Sequence, residues 1–241
     1  MKTIAILLSG GTGERLGEDI PKQYIPISHK RIITYSMQTL LAHKKIEGIL
    51  VVASQEWREI LQREWVEYAV FHEKFMGFVD PGQTRQLSVW NALQWISSRI
   101  KKRGETEEKS AVLVHDAARP FLTEDQISAI IQAMEGHDGV MPGLPMKDTV
   151  YLSRDGLAVS DLLERKQMFA GQAPEIFDFK KYYKANESLF PERIKQINGS
   201  TEPAILGGMD IVMIPGDEQN FKITTQADLQ LARERMSRIG K

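Results

Sequence analysis

The chain has 241 residues, with 31 Lys and Arg against 32 Asp and Glu, a formal net charge of −1 at pH 7 and no cysteine. That length carries one large or two small domains with room for a substantial core, and the near-balance of charge excludes a general attraction to nucleic acid or to a membrane surface, so any anion binding must be local. Without cysteine there are no disulfides, thiolate zinc sites or cysteine nucleophiles, and with no apolar run of membrane-spanning length and no cleavage pattern after Met1-Lys2 a cytoplasmic protein is expected.

The first predicted element carries the strongest signal. Ile4-Ala5-Ile6-Leu7-Leu8 reads as a buried strand, and Ser9-Gly10-Gly11-Thr12-Gly13-Glu14-Arg15-Leu16-Gly17 follows it directly,. Glycines let the backbone bend tightly, and successive N–H groups in such a turn form an anion-binding concavity. Arg15, and Lys22 within Pro21-Lys22-Gln23, add a bidentate fork and a mobile point charge, the two cationic tools for phosphate,. A nucleotide is therefore expected over Leu8, Ser9, Gly10, Gly11, Thr12 and Gly13. The P-loop pattern is absent, since Lys22 stands between Pro21 and Gln23, and the dinucleotide fingerprint fails at Leu16,.

Ile32, Ile33, Met37, Leu40 and Leu41 then recur at helical spacing, followed by a strand at 46–53, a helix at 56–66, a strand at 75–79, a helix at 86–100 and a strand at 111–115,. This alternation predicts a doubly wound α/β sheet with ligands beyond the carboxyl ends of its strands. The charged run 101–109 reads as a solvated surface loop,.

Two loops at strand ends stand out. The first is Pro81-Gly82-Gln83-Thr84-Arg85-Gln86-Leu87-Ser88-Val89, in which Thr84 and Ser88 also suit a helix cap,. The second is Val114-His115-Asp116-Ala117-Ala118-Arg119-Pro120-Phe121. One carboxylate at a strand end, completed by substrate phosphates, is a common way to hold Mg²⁺, although an isolated Asp there is as readily a turn or cap residue. His115 has no partner at zinc-ligand spacing and reads as a packed strand residue,. From Met146, two alternating runs at 147–153 and 157–163 flank Arg154-Asp155-Gly156 and predict a β-hairpin, which has little core of its own,. A strand at 211–214 and a helix bearing Leu229, Ala232 and Met236 close the chain, with Thr225 and Asp228 spaced as a capping pair,.

The glycine loop with Pro-Lys-Gln, the His-Asp-Ala-Ala-Arg-Pro stretch, Gln172-Ala173-Pro174-Glu175-Ile176-Phe177 and Asn220-Phe221-Lys222-Ile223-Thr224 resemble the 2-C-methyl-D-erythritol 4-phosphate cytidylyltransferases and the related ribitol-5-phosphate cytidylyltransferases over nearly the whole chain. The resemblance implies one Rossmann-like nucleotidyltransferase domain, 1–241, that moves a cytidylyl group from CTP to a small polyol phosphate and releases pyrophosphate. It assigns catalysis to Arg15, Lys22 and Lys222, Mg²⁺ to Asp116, and further nucleotide contacts to Gly82, Gln83, Ser88 and Ala117. It also implies that the hairpin, at about 146–165, is an arm embracing a second subunit in a homodimer. Arg165 would then enter the neighbour's site, with Thr149, Arg119, Ala173 and Thr201 toward the acceptor.

The chain departs from the family pattern in several places. Gln83 replaces an acidic residue, Ala173 a threonine and Glu175 a glutamine, and in Gly199-Ser200-Thr201-Glu202-Pro203-Ala204 the expected aspartate is missing at Thr201. Three of these lie on the acceptor side, which makes ribitol 5-phosphate the expected acceptor and 2-C-methyl-D-erythritol 4-phosphate, from isoprenoid biosynthesis, the alternative.

Overall fold

A computed structural model describes residues 2–11, 20–67, 73–102 and 110–239. Its strands are β1 (Lys2–Leu8), β2 (Pro26–Ile27), β3 (Lys30–Arg31), β4 (Ile46–Val52), β5 (Phe75–Val79), β6 (Ser110–Asp116), β7 (Gly139–Pro145), β8 (Val150–Leu152), β9 (Asp161–Leu163), β10 (Phe169–Gly171), β11 (Glu175–Asp178) and β12 (Ile211–Pro215). The helices are α1 (Ile32–Ala42), α2 (Gln55–Glu67), α3 (Arg85–Lys102), α4 (Glu124–Ala133), α5 (Phe179–Glu187), α6 (Thr201–Leu206) and α7 (Gln226–Ile239).

The central strands form because runs such as Ile4–Leu8 and Ile49–Val52 are apolar on both faces and can be satisfied only between two layers of helix,. β1 pairs in parallel with β4 on one side and β6 on the other, and β4 pairs in parallel with β5. Beyond β6 the order continues through β11 and β7. β11 is antiparallel to both of its neighbours, so the expected doubly wound sheet is a mostly parallel mixed one. Val140 of β7 pairs with Ile176 on one edge and Val212 on the other, so β12 closes the far edge of β7.

One face of the sheet packs Ala5, Leu7, Ile49, Val51 and Leu113 against Ile33, Met37 and Leu40 of α1, Leu61 and Trp65 of α2, and Ile127 and Ile130 of α4. The other packs Ile6, Leu50, Val52, Val112 and Val114 against Val89, Leu93 and Ile96 of α3 and Phe179 and Tyr182 of α5. Each such aliphatic side chain contributes about 1.5–3 kcal/mol by leaving water. In α7, Leu229, Ala232 and Met236 cover Ile25, Ile27 and Phe121, as their spacing predicts. His115 is the packed strand residue expected, wholly buried, and burial pushes its pKa down to about 4.

The hairpin is present too. β8 and β9 pair antiparallel, Val150 opposite Leu163, in a sheet of their own, and Tyr151, Leu152, Leu157, Val159 and Leu162 face outward, Leu157 being 93% exposed. No helix among the described residues is long and apolar enough to cross a membrane.

Candidate active site

The carboxyl ends of β1, β5 and β6 open onto one cavity of about 610 Å³, a size suited to a small ligand. It lies where the chain, having laid β4 and β5 on one side of β1, crosses to place β6 on the other, the switch point at which open α/β sheets bind ligands,.

The first wall is the start of the glycine loop. A side chain at Gly10 would put its Cβ 2.3 Å from Cβ of Pro81, so only glycine lets the two loops approach,. Ser9 donates from both N–H and Oγ to the Val52 carbonyl. The buried Gln23 amide donates to the carbonyls of Ser9 (2.6 Å) and Gly11 (2.8 Å), and Tyr24 Oη, stacked on Trp57, donates to Ser9 O as well. Pro21-Lys22-Gln23 is thus a brace: Gln23 holds the loop, and Lys22 lines the cavity beside it. The structural role of Gln23 was not foreseen, because the pattern pointed only to the lysine. Leu8, Ser9, Gly10 and Gly11 all line the cavity, while Thr12, Gly13 and Arg15 lie outside the described residues.

The second wall is the loop from β5 into α3. A Cβ on Gly82 would lie 2.4 Å from Cβ of Leu87, and the Gly82 N–H donates to Ser88 Oγ at 3.0 Å. Thr84 Oγ1 accepts from the Leu87 N–H, so Thr84 caps α3, and it lines the cavity together with Gly82, Gln83 and Ser88. The cap and site readings of this loop therefore meet at Thr84.

The floor is a charge cluster around Asp116. Arg85 Nη2 lies 3.0 Å from its carboxylate, Lys222 Nζ 2.9 Å and Arg119 Nε 3.7 Å. Burial opposes the charge, but Arg85 and Lys222 outweigh it and hold the carboxyl well below the usual carboxylate range,. Arg85 was not among the predicted site residues. It lines the cavity, lies 3.8 Å from Glu175 and donates to Ser200 Oγ. A capping residue and an arginine at the start of a helix look ordinary in sequence, and only the fold brings Arg85 to Asp116.

Lys222 is positioned by a lattice of backbone bonds. Arg119 Nη1 donates to Asn220 O (2.7 Å), Gln172 Nε2 to Asp217 O (2.9 Å), Asn220 Nδ2 to Ala173 O (2.9 Å), and the Ile223 N–H to Ala118 O. Arg119 and Ala173 hence hold the lysine's loop and do not line the cavity. Ala117 is fully buried, and its neighbour Ala118 lines the cavity instead. Thr201 also stands behind the wall, donating at 2.7 Å to Glu175 Oε1 in a buried pair. Thr149 and Arg165 lie outside this chain's own cavity, with Arg165 Nη1 donating to the Lys147 carbonyl of the arm.

A family model described as 2-C-methyl-D-erythritol 4-phosphate cytidylyltransferase matches residues 3–238. Proteins of that name from Thermotoga neapolitana and Clostridium beijerinckii are 32% and 31% identical, each over 95% of this chain and 95% of the relative. Among solved structures, 4-diphosphocytidyl-2C-methyl-D-erythritol synthase from Anaerococcus prevotii superposes with a TM-score of 0.79 at 22% identity, covering 98% of this chain and 96% of the other. The Francisella tularensis 2-C-methyl-D-erythritol 4-phosphate cytidylyltransferase gives 0.78 at 22% identity, covering 97% and 99%. These two structural likenesses bear on the fold.

Proposed function

The chain belongs to the 2-C-methyl-D-erythritol 4-phosphate cytidylyltransferase family of CTP-dependent nucleotidyltransferases, and from that premise we propose that it transfers the cytidylyl group of CTP to 2-C-methyl-D-erythritol 4-phosphate, releasing pyrophosphate. The observation that carries this reading is the convergence of Lys22, Asp116 and Lys222, from three distant stretches of chain, on one cavity at the strand ends.

The expectation of ribitol 5-phosphate rested on groups thought to be lost from the acceptor pocket. None of Ala173, Glu175 and Thr201 lines the cavity, and Glu175 and Thr201 are buried and bonded to each other, so these changes take no group from the cavity wall and leave the pair satisfied,. The argument against methylerythritol phosphate falls with it, and the named relatives favour that acceptor.

No covalent nucleophile is required, because a phosphate monoester with a second pKa of about 6 is largely dianionic near neutrality and attacks the α-phosphorus directly. The protein's task is in-line positioning and stabilisation of charge on the phosphoryl oxygens. The loop amides of Gly10 and Gly11 cradle the triphosphate, while Lys22 and Lys222 face the reacting phosphates. Arg15 is assigned the same role from its motif.

The donor set suits Mg²⁺: Asp116 is a single carboxylate at the cavity floor, and this ion is usually held by one or two carboxylates together with substrate phosphates,. Bound there, the metal would neutralise developing phosphoryl charge. The exposed apolar face of the hairpin supports a homodimer in which the arm covers a second subunit,. Arg165 and Thr149 would then reach the partner's site.

The nucleotide half of this reading is tested by supplying CTP, UTP, ATP or GTP in turn with Mg²⁺ and methylerythritol phosphate and measuring pyrophosphate. Release with CTP well above the others is expected, and equal release with another nucleotide overturns the assignment of the base.

A further inference from the structure

The two oxygens of Asp116 are held in different ways. Lys222 meets Oδ2 at 2.9 Å through a single ammonium on a flexible stem, and a third of that side chain is exposed on the cavity wall,. Arg85 meets Oδ1 at 3.0 Å through one prong of a rigid fork,. The same Nη2 lies 3.8 Å from Glu175 Oε2, and Nη1 donates to Ser200 Oγ. Neither of these two further partners lines the cavity, and both are fixed in turn. Glu175 is buried and accepts from Thr201 Oγ1 at 2.7 Å, and Ser200 is wholly buried, its carbonyl accepting from Tyr182 Oη at 2.8 Å. Where α3 meets α5, the buried Gln86 amide donates to both Tyr182 Oη and Asn186 Oδ1. A carboxylate out of water persists only where it is paired, and the cation that Glu175 shares with Asp116 is Arg85. The guanidinium is thus clamped by β6, β11 and the residue before α6, whereas the ammonium of Lys222 turns on its own stem.

We infer that Arg85 is a positioning residue for Mg²⁺ binding: clamped by Glu175 and Ser200, it fixes the Asp116 carboxylate through Oδ1, so that Oδ2 is free for the ion when Lys222 leaves it for the phosphates of CTP. The role of Asp116 toward the ion rests on the proposed function. The clamp on Arg85 rests on the contacts themselves. Groups that orient a metal ligand in this way change metal affinity or activity by about 10–100-fold when they are lost.

Two substitutions test the role. Arg85→Lys keeps a charge between the two carboxylates and loses the fork, and Arg85→Gln loses both. Mg²⁺ is added to each protein at saturating CTP without acceptor, and the reading is the Mg²⁺ concentration that gives half of the resulting rise in melting temperature. In both variants this midpoint should lie about ten-fold or more above the parent's. The Mg²⁺ requirement for pyrophosphate release with acceptor present should move in the same direction. A ligand-free melt that falls while the midpoint stays at the parent's would make Arg85 a structural ion pair and overturn the positioning role. An Arg85→Lys midpoint equal to the parent's would overturn it as well, because charge without the fork would then suffice, and this variant decides alone if Arg85→Gln does not fold. If the CTP-bound parent does not respond to Mg²⁺ at all, the metal role of Asp116 fails and takes that of Arg85 with it. A parent that responds beside variants that match it removes the role of Arg85 only.

Discussion

Replacing Asp116 by Asn leaves Arg85, Lys222 and Arg119 around a neutral group where a carboxylate now lies 2.9–3.7 Å from each. The resemblance made this residue a metal ligand, and its burial among three cations makes it structural as well. Asp116→Asn should therefore abolish most Mg²⁺-dependent turnover and also cost about 3 kcal/mol of stability, the scale of breaking a buried ion pair. Activity titrated against Mg²⁺ beside a thermal melt checks this, and an unchanged melt would show that the cations relax into water. Lys22→Ala should lower kcat by about 100-fold, as for loss of one charge-stabilising donor, whereas a change confined to the KM for CTP would make Lys22 a simple binding group. Gln23→Ala tests the brace: it removes two hydrogen bonds to the glycine loop, and the loss of a buried donor should cost about 1–3 kcal/mol. It should also weaken CTP binding, and a variant equal to the parent in both would detach Gln23 from the loop's shape. Lys22 and Asp116 were legible in sequence because each sits in a motif that follows or ends a strand, whereas Lys222 was legible only through the resemblance of Asn220-Phe221-Lys222-Ile223-Thr224. Arg85 and Gln23 were not, because their partners are 31 and 12–14 residues away along the chain.

At the scale of elements, β1, β4, β5, β6, α1, α2, α3 and α7 were readable from periodicity, since buried parallel strands are continuous apolar runs and amphipathic helices repeat every three or four residues. β7 was hidden because Gly-Val-Met-Pro-Gly-Leu-Pro carries two prolines and two glycines, which signal a loop,. β11 was hidden because its four residues lie inside a site motif, and its antiparallel insertion between β6 and β7 depends on long-range pairing with no local sign. The hairpin was legible through its turn, and the dimer contact proposed for it is argued from the apolar side chains it leaves bare. Tyr151 and Leu162 are paired cross-strand neighbours and both face solvent in the single chain. The double change Tyr151→Asp with Leu162→Asp should shift the protein from dimer to monomer in sedimentation while leaving the melt of the main domain nearly intact. A dimer that survives both charges would place the interface elsewhere. Mixing Arg165→Ala with Lys22→Ala should restore part of the activity on subunit exchange, because one site of each heterodimer would keep both residues. No recovery despite demonstrated exchange would confine Arg165 to its own subunit.

At the scale of the whole molecule, two histidines among the described residues lie out of water. His43 is nearly buried, with Nδ1 accepting from the Lys45 N–H and Nε2 against Ser128 Oγ, and burial lowers its pKa below the ordinary 6.5. A base whose pKa is lowered on folding takes up its proton more readily when unfolded, so the stability it allows is complete above 6.5 and is lost as the pH falls below that value,. The melting temperature should accordingly drop on acidification through this range, His115 acting in the same direction. His43→Gln should flatten the slope, and an unaltered slope would assign it to other groups. The central claim, a cytidylyltransferase whose acceptor is methylerythritol phosphate despite its altered acceptor-side residues, is tested most directly by kcat/KM for 2-C-methyl-D-erythritol 4-phosphate and for ribitol 5-phosphate at saturating CTP and Mg²⁺. The account predicts a preference for methylerythritol phosphate of at least about ten-fold, the discrimination one buried polar contact supplies, and a preference for ribitol 5-phosphate would contradict it.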